Sequence, residues 1–71
     1  MHFHRLIRNR RNSDLYAVLD DRANRRALLM AWWPCEDLHG VKVVSEYAYQ
    51  DHTDRARALL TAVDHGKGMA R

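Results

Sequence analysis

The strongest constraint on the fold is a change of hydrophobic period between residues 41 and 66. From 41 to 50 the side chains alternate with a period of two, which predicts a β-strand. The residues that share its first face are Val41, Val43, Ser45, Tyr47 and Tyr49. After Asp51 the period becomes helical, with an apolar stripe made of Ala56, Leu59, Leu60 and Val63. We expect Thr53 or Asp54 to cap this helix and Gly66 to end it.

Three further segments precede this pair. The stretches His2 to Arg8 and Leu15 to Leu19 are separated by polar turn formers and predict a hairpin. The third segment, Arg25 to Trp33, fits either a strand or a helix because short apolar runs lack a decisive period. The sequence therefore predicts an α+β fold, a four-stranded antiparallel meander with a C-terminal amphipathic helix on one face. The alternative has three strands and an extra helix.

The length of 71 residues allows one small domain, which we place at residues 1–66 with a flexible tail at 67–71. Cys35 is the only cysteine, so an internal disulfide is excluded. The longest uninterrupted apolar run, Ala27 to Trp33, is far shorter than the roughly 20 residues that a membrane-spanning helix needs. These features predict a cytoplasmic protein that does not enter a membrane.

Basic residues are concentrated in the first half of the chain. Twelve Lys and Arg against nine Asp and Glu give a net charge of +3, and ten of the twelve are Arg. A meander places Arg8, Arg10 and Arg11 together at one end of the sheet. The same topology places Arg22, Arg25 and Arg26 at the other end, where we expect Asp51 and Asp54 to neutralise part of their charge.

Motifs for metal binding or catalysis are weak. His2 and His4 would share one strand face, and Cys35, Asp37 and His39 form a second group, but neither has the ligand spacing of a structural zinc site. The acidic pairs Asp20-Asp21 and Glu36-Asp37 are interpreted as caps and turns. A chain this short has little room for a pocket of about 300 Å³. We therefore predict no metal, no cofactor and no enzymatic activity.

If the third segment is a strand, both of its faces are apolar and one helix can cover only one of them. The uncovered face would then expose aromatic and Met side chains, which is typical of an association surface. The predicted protein-binding residues are Met30, Trp32, Trp33, Tyr47, Tyr49, Arg8, Arg10 and Arg11. This predicts a small interaction protein that binds a larger protein or nucleoprotein complex, or itself as a homodimer. In size and layout it is similar to inhibitor and accessory proteins of phages and other mobile elements.

The alternative function is a small RNA- or DNA-binding module. Its phosphate contacts would come from Arg8, Arg10, Arg11, Arg25 and Arg26. Affinity that falls steeply with salt would distinguish this function from protein binding.

Overall fold

A computed structural model describes residues 1–11, 14–33 and 42–68, with the main chain alone for Trp32, Trp33 and Lys42. The strands are β1 (His2–Arg8), β2 (Leu15–Asp21), β3 (Arg26–Trp33) and β4 (Lys42–Ala48), followed by helix α1 (His52–Gly68). The sheet order is β1-β2-β3-β4, and every neighbouring pair is antiparallel. The predicted α+β meander is confirmed, and the third segment is a strand.

Helix α1 packs on one face of the sheet and forms the core with it. The core side chains are Ile7, Tyr16, Val18, Ala27, Leu29, Tyr49, Ala58, Leu59, Ala62 and Val63. Because side chains alternate along a strand, the neighbours of these residues, including Leu6, Ala17, Leu28 and Met30, lie on the opposite face. We call this opposite side the helix-free face, since among residues 1–11, 14–33 and 42–68 the one element outside the sheet is α1.

The helical stripe predicted from the sequence is rotated in the structure. Leu59 and Val63 are buried as expected, but Leu60 is 61% exposed and Ala56 is also exposed. The buried positions beside Leu59 and Val63 are Ala58 and Ala62. Small side chains allow the helix to approach the sheet closely, so packing distance decided which face is buried.

The predicted helix boundaries are also corrected. The N-cap is Asp51, whose Oδ1 accepts the N–H of Asp54 at 3.0 Å, in place of Thr53 or Asp54. The helix continues through Gly66 to Gly68. Gly66 is buried against Ile7 and Leu29, and a Cβ there would lie 3.1 Å from a methyl carbon of each. Gly66 therefore permits close packing within the helix, and the predicted end at this residue was wrong.

Three register shifts break the simple alternation that the sequence suggested, and one of them lies between Leu15 and Tyr16 where β2 pairs with β3. In β1 the shift lies between Phe3 and Arg5, so Phe3 shares the helix-free face with Leu6. In β4 the pairings Leu29↔Ser45 and Met30↔Val43 leave Val44 as the extra residue. Val44 packs against the core, whereas Val43 is 47% exposed. A bulge thus changes which valine of β4 faces the helix.

Candidate functional site

The most distinctive surface feature is a cleft of about 620 Å³ lined with basic side chains. Its cations come from β1, from the loop that follows it, and from the end of α1. The lining residues are Arg5, Leu6, Ile7, Arg8, Arg10, Arg11 and Lys67. All of them except Ile7 are exposed, so the cleft is a surface groove along the edge strand. We call it the cationic cleft.

The volume of this groove corrects the prediction that so short a chain has little room for one. An enclosed pocket of that size would have to be cut out of a small core. The observed cleft uses long side chains on an edge strand and a loop instead. It therefore needs almost no core volume.

A buried asparagine anchors the loop that carries Arg10 and Arg11. Asn9 is 0% exposed, and its Nδ2 donates to the carbonyl oxygen of Gly66 at 2.9 Å. Its Oδ1 accepts the backbone N–H of Arg11 at 2.8 Å, and its own N–H donates to the carbonyl of Asp14 at 2.8 Å. These bonds tie the loop to the end of α1. The arginines are thus presented from a fixed backbone, beside Lys67.

The cationic cleft carries positive charges without carboxylates to pair with them among the described residues. All four ion pairs found among the described residues involve Arg22, Arg26 or Arg55, which are not part of the cleft. No carboxylate in that part of the chain lies within ion-pair distance of the five cleft cations. Adjacent unpaired cations repel one another, and an anion in the cleft would relieve this repulsion.

The opposite end of the sheet holds a cluster of paired charges around two buried aspartates. Asp20 is 2% exposed and accepts hydrogen bonds from Tyr49 Oη and Arg55 Nε, both at 2.6 Å. Arg22 Nε donates to the same carboxylate at 3.1 Å. Burial raises the pKa of Asp20, but the hydrogen bonds from Tyr49, Arg55 and Arg22 outweigh it and hold the pKa below its usual value.

Asp21 extends this cluster toward β4. Its Oδ2 accepts from Asn24 Nδ2 and from Arg26 Nε, each at 2.9 Å. These bonds lower the pKa of the Asp21 carboxyl below its usual value, and the bond from Asn24 contributes most. Arg26 also pairs with Glu46 across the strands. Sequence reasoning interpreted the Asp20-Asp21 pair as caps and turns and so missed this network.

The arginines that the sequence predicted as binding residues lie in two separate places. Arg8, Arg10 and Arg11 meet in the cationic cleft as predicted. Arg25 and Arg26 lie at the other end of the sheet, so the five arginines of the nucleic-acid alternative do not form one surface. The expected partial neutralisation at that end exists, but it comes from Asp20, Asp21 and Glu46 and not from Asp51 or Asp54.

The aromatic part of the predicted protein-binding surface is divided. Met30 is half-buried on the helix-free face. Tyr47 pairs with Ala27 and packs against the core, while Tyr49 is buried at 9% exposure. The prediction that both tyrosines border an exposed face beside Met30 was wrong, because they lie on the side that α1 covers. Trp32 and Trp33 belong to β3, and their side chains lie outside the described part.

The remaining candidate groups give no site in the described part of the chain. Cys35, Glu36, Asp37 and His39 lie outside the described residues, as does the helical turn expected near them. Within residues 1–11, 14–33 and 42–68, no three His, Cys, Asp or Glu side chains are grouped so as to hold a metal ion. No helix in those ranges is long and apolar enough to span a membrane.

Comparison of the chain with protein-family models, with curated proteins and with solved structures finds no match in any of the three.

Proposed function

We propose that this chain is a small non-enzymatic binding protein that holds nucleic-acid phosphates in its cationic cleft. The observation that carries the proposal is the contrast between five adjacent cations and the lack of a described carboxylate to pair with them. A row of cations along a groove favours a ligand with a row of negative charges, because each phosphate contact releases a condensed counterion.

Two further features favour nucleic acid over an acidic protein. Four of the five cleft cations are arginines, whose planar guanidinium groups bind phosphate in a bidentate manner. Phe3 is 63% exposed on the same edge strand and offers a ring on which a base can stack. Asn9 fixes the loop, which reduces the entropy lost when Arg10 and Arg11 bind.

The first expectation from the sequence was protein binding through an aromatic surface. It has less support, because Tyr47 and Tyr49 lie on the side of the sheet that α1 covers. The proposed activity is still compatible with a phage-type accessory or inhibitor protein. Such a protein would occupy nucleic acid within a larger nucleoprotein complex, and a cytoplasmic location would give it access.

The test is fluorescence anisotropy with a labelled single-stranded RNA of about 20 nucleotides, titrated at several salt concentrations. If all five cations contact phosphates, log K should fall against log salt with a slope of about −3.5. Replacing Arg57, an exposed helical arginine outside the cleft, by Gln is the control and should leave the slope unchanged.

Absence of binding at about 50 mM salt would contradict the proposal, because the phosphate term should be strong there. Polyglutamate that displaces the RNA as effectively as unlabelled RNA does would also contradict it. That outcome would show that the cleft recognises negative charge in general and would favour an acidic protein partner.

A further inference from the structure

The edge strand β1 carries two large apolar side chains that remain exposed to solvent. Phe3 is 63% exposed and Leu6 is 47% exposed, and both lie on the helix-free side of the sheet. Ala17 and Leu28, further into the sheet on that side, are buried. Beside β1, the exposed apolar surface is therefore confined to the strand itself, and we call Phe3 and Leu6 the apolar edge.

The apolar edge is continuous with the cationic cleft. Because of the bulge in β1, the β2 partners of Phe3 and Leu6 are only two residues apart, which places these two residues about 7 Å apart along the strand. Arg8 follows Leu6 at the same spacing and on the same side, since its neighbour Ile7 is in the core. Leu6 and Arg8 both line the cleft, so Phe3 lies just beyond its end. A ligand that fills the cleft and extends past Leu6 therefore meets the Phe3 ring.

Cations lie on both sides of the edge strand next to these apolar groups. Arg5 is on the helix side, because it pairs with the core residue Val18, and Lys67 is in the last turn of α1. Arg8 is on the helix-free side, so the cleft includes both sides of the strand. A ligand that covers this region has to combine several negative charges with flat apolar groups. Nucleic acid combines the two, since each phosphate is joined to a nucleoside whose base can stack on an aromatic ring.

The accessibility of the bases separates single strands from duplexes. In a duplex the bases are stacked inside, and a protein reaches only their edges in the grooves. An unpaired base leaves its face free for stacking on a side chain. Successive bases in a stacked strand are about 3.4 Å apart, roughly half the spacing between Phe3 and Leu6. Neighbouring bases that contact both side chains must therefore be drawn apart, as in an extended single strand.

We infer that the cationic cleft and the apolar edge together select single-stranded nucleic acid over duplex, with one unpaired base stacked on Phe3 and its neighbour packed on Leu6. The inference rests on the proposed function, since the cleft has to hold the phosphates. Phosphate contacts alone would favour the duplex, because its salt slope is about −0.9 per phosphate against about −0.7 for a single strand. A preference for the single strand therefore requires the base contacts that the apolar edge provides.

The experiment compares three labelled RNA probes of equal length by fluorescence anisotropy. The first is single-stranded, the second is the same strand paired with its complement, and the third is a single strand without bases. The wild-type protein should bind the first probe at least about fivefold more tightly than either of the others. Phe3→Ala should lose about fivefold or more of the affinity for the first probe and bind the other two as the wild type does. Its slope of log K against log salt should be unchanged, because every phosphate contact remains.

Two variants control for effects other than stacking, and circular dichroism checks that each variant is folded. Phe3→Trp keeps an aromatic ring and should retain the preference for the single strand. Leu60→Ala truncates a helical side chain that is 61% exposed outside the cleft and should change none of the affinities. Equal wild-type affinity for all three probes, or an equal loss for all three in Phe3→Ala, would overturn the inference and leave the proposed function standing. Absence of binding to every probe would contradict the proposed function and the inference with it.

Discussion

The two ends of the sheet contain similar numbers of arginines but use them differently. At one end Arg22, Arg26 and Arg55 are paired with Asp20 and Asp21 of β2, both of which are buried. At the other end, Arg8, Arg10 and Arg11 line a groove without a carboxylate partner among the described residues. An arginine is structural where a buried carboxylate needs it and free for a ligand where none does. Residue type alone does not distinguish the two roles.

The largest expected effect on the free energy of unfolding is at the end of the sheet where arginines pair with Asp20 and Asp21. Asp20→Ala leaves Arg55 and the Tyr49 hydroxyl without their acceptor inside the protein and should cost about 3–5 kcal/mol. Asp64→Ala, an exposed helical aspartate, is the matched control and should change stability by less than about 0.5 kcal/mol. Urea denaturation followed by circular dichroism measures both. A loss below about 1 kcal/mol for Asp20→Ala would show that the cluster is not structural.

A smaller effect is expected from the anchor of the cationic cleft. Asn9→Ala removes the donor to the Gly66 carbonyl and the acceptor for Arg11, which should cost about 1–3 kcal/mol. RNA affinity should fall as well, because Arg10 and Arg11 lose their fixed backbone. The control is Asn24→Ala in the exposed turn, which should leave RNA affinity unchanged. An Asn9 variant with wild-type stability would refute the role of this anchor.

The two ends should also differ in their response to acid. The pKa of Asp20 is lowered in the folded protein, so its stabilisation is complete above the unfolded value of about 3.9. It is lost as pH falls through the lower folded value. We expect thermal stability to decline as pH falls below about 4, and to decline less in Arg22→Gln, which loses one donor. An identical decline in both proteins would assign the effect to other carboxylates.

The smallest effect concerns backbone strain in the β2–β3 turn. Arg25 has φ of +52°, a region that residues with a Cβ adopt at a cost. Arg25→Gly should therefore raise the free energy of unfolding by about 0.5–1 kcal/mol, partly offset by the flexibility of glycine when unfolded. The variant should keep the β2–β3 turn in place, because the backbone carbonyl of Arg25 accepts the N–H of Tyr49. A destabilised variant would mean that the Arg25 side chain has an unrecognised structural contact.

Local patterns predicted the strands, the meander and the meeting of Arg8, Arg10 and Arg11, because these depend on alternation and on short hairpin connections. The buried acidic cluster was not predictable in the same way. Asp20 meets Tyr49 and Arg55, which are 29 and 35 residues away along the chain. The hint in the sequence was an adjacent pair of aspartates at the end of an apolar strand, a position where an uncompensated charge would be costly.

The faces of individual side chains were the least predictable feature. The bulges at Phe3 to Arg5 and at Val44 each change the face of the sheet on which part of a strand places its side chains. No turn residue in the sequence marks either bulge. Leu60 is exposed while Ala62 is buried, because the close approach of α1 favours small side chains over large ones. Which side chains are buried depends on the distance between the helix and the sheet. The period of hydrophobic residues in the sequence does not determine that distance.

The most direct test of the account compares two double variants with equal loss of charge. Arg10→Gln with Arg11→Gln removes two cations from the cleft, and Arg25→Gln with Arg57→Gln removes two exposed cations elsewhere. Their RNA affinity is measured against salt. We predict that the first pair reduces the slope of log K against log salt by about 1.4, while the second leaves it unchanged. Equal losses in the two pairs would contradict a localised site and would show that binding depends only on net charge.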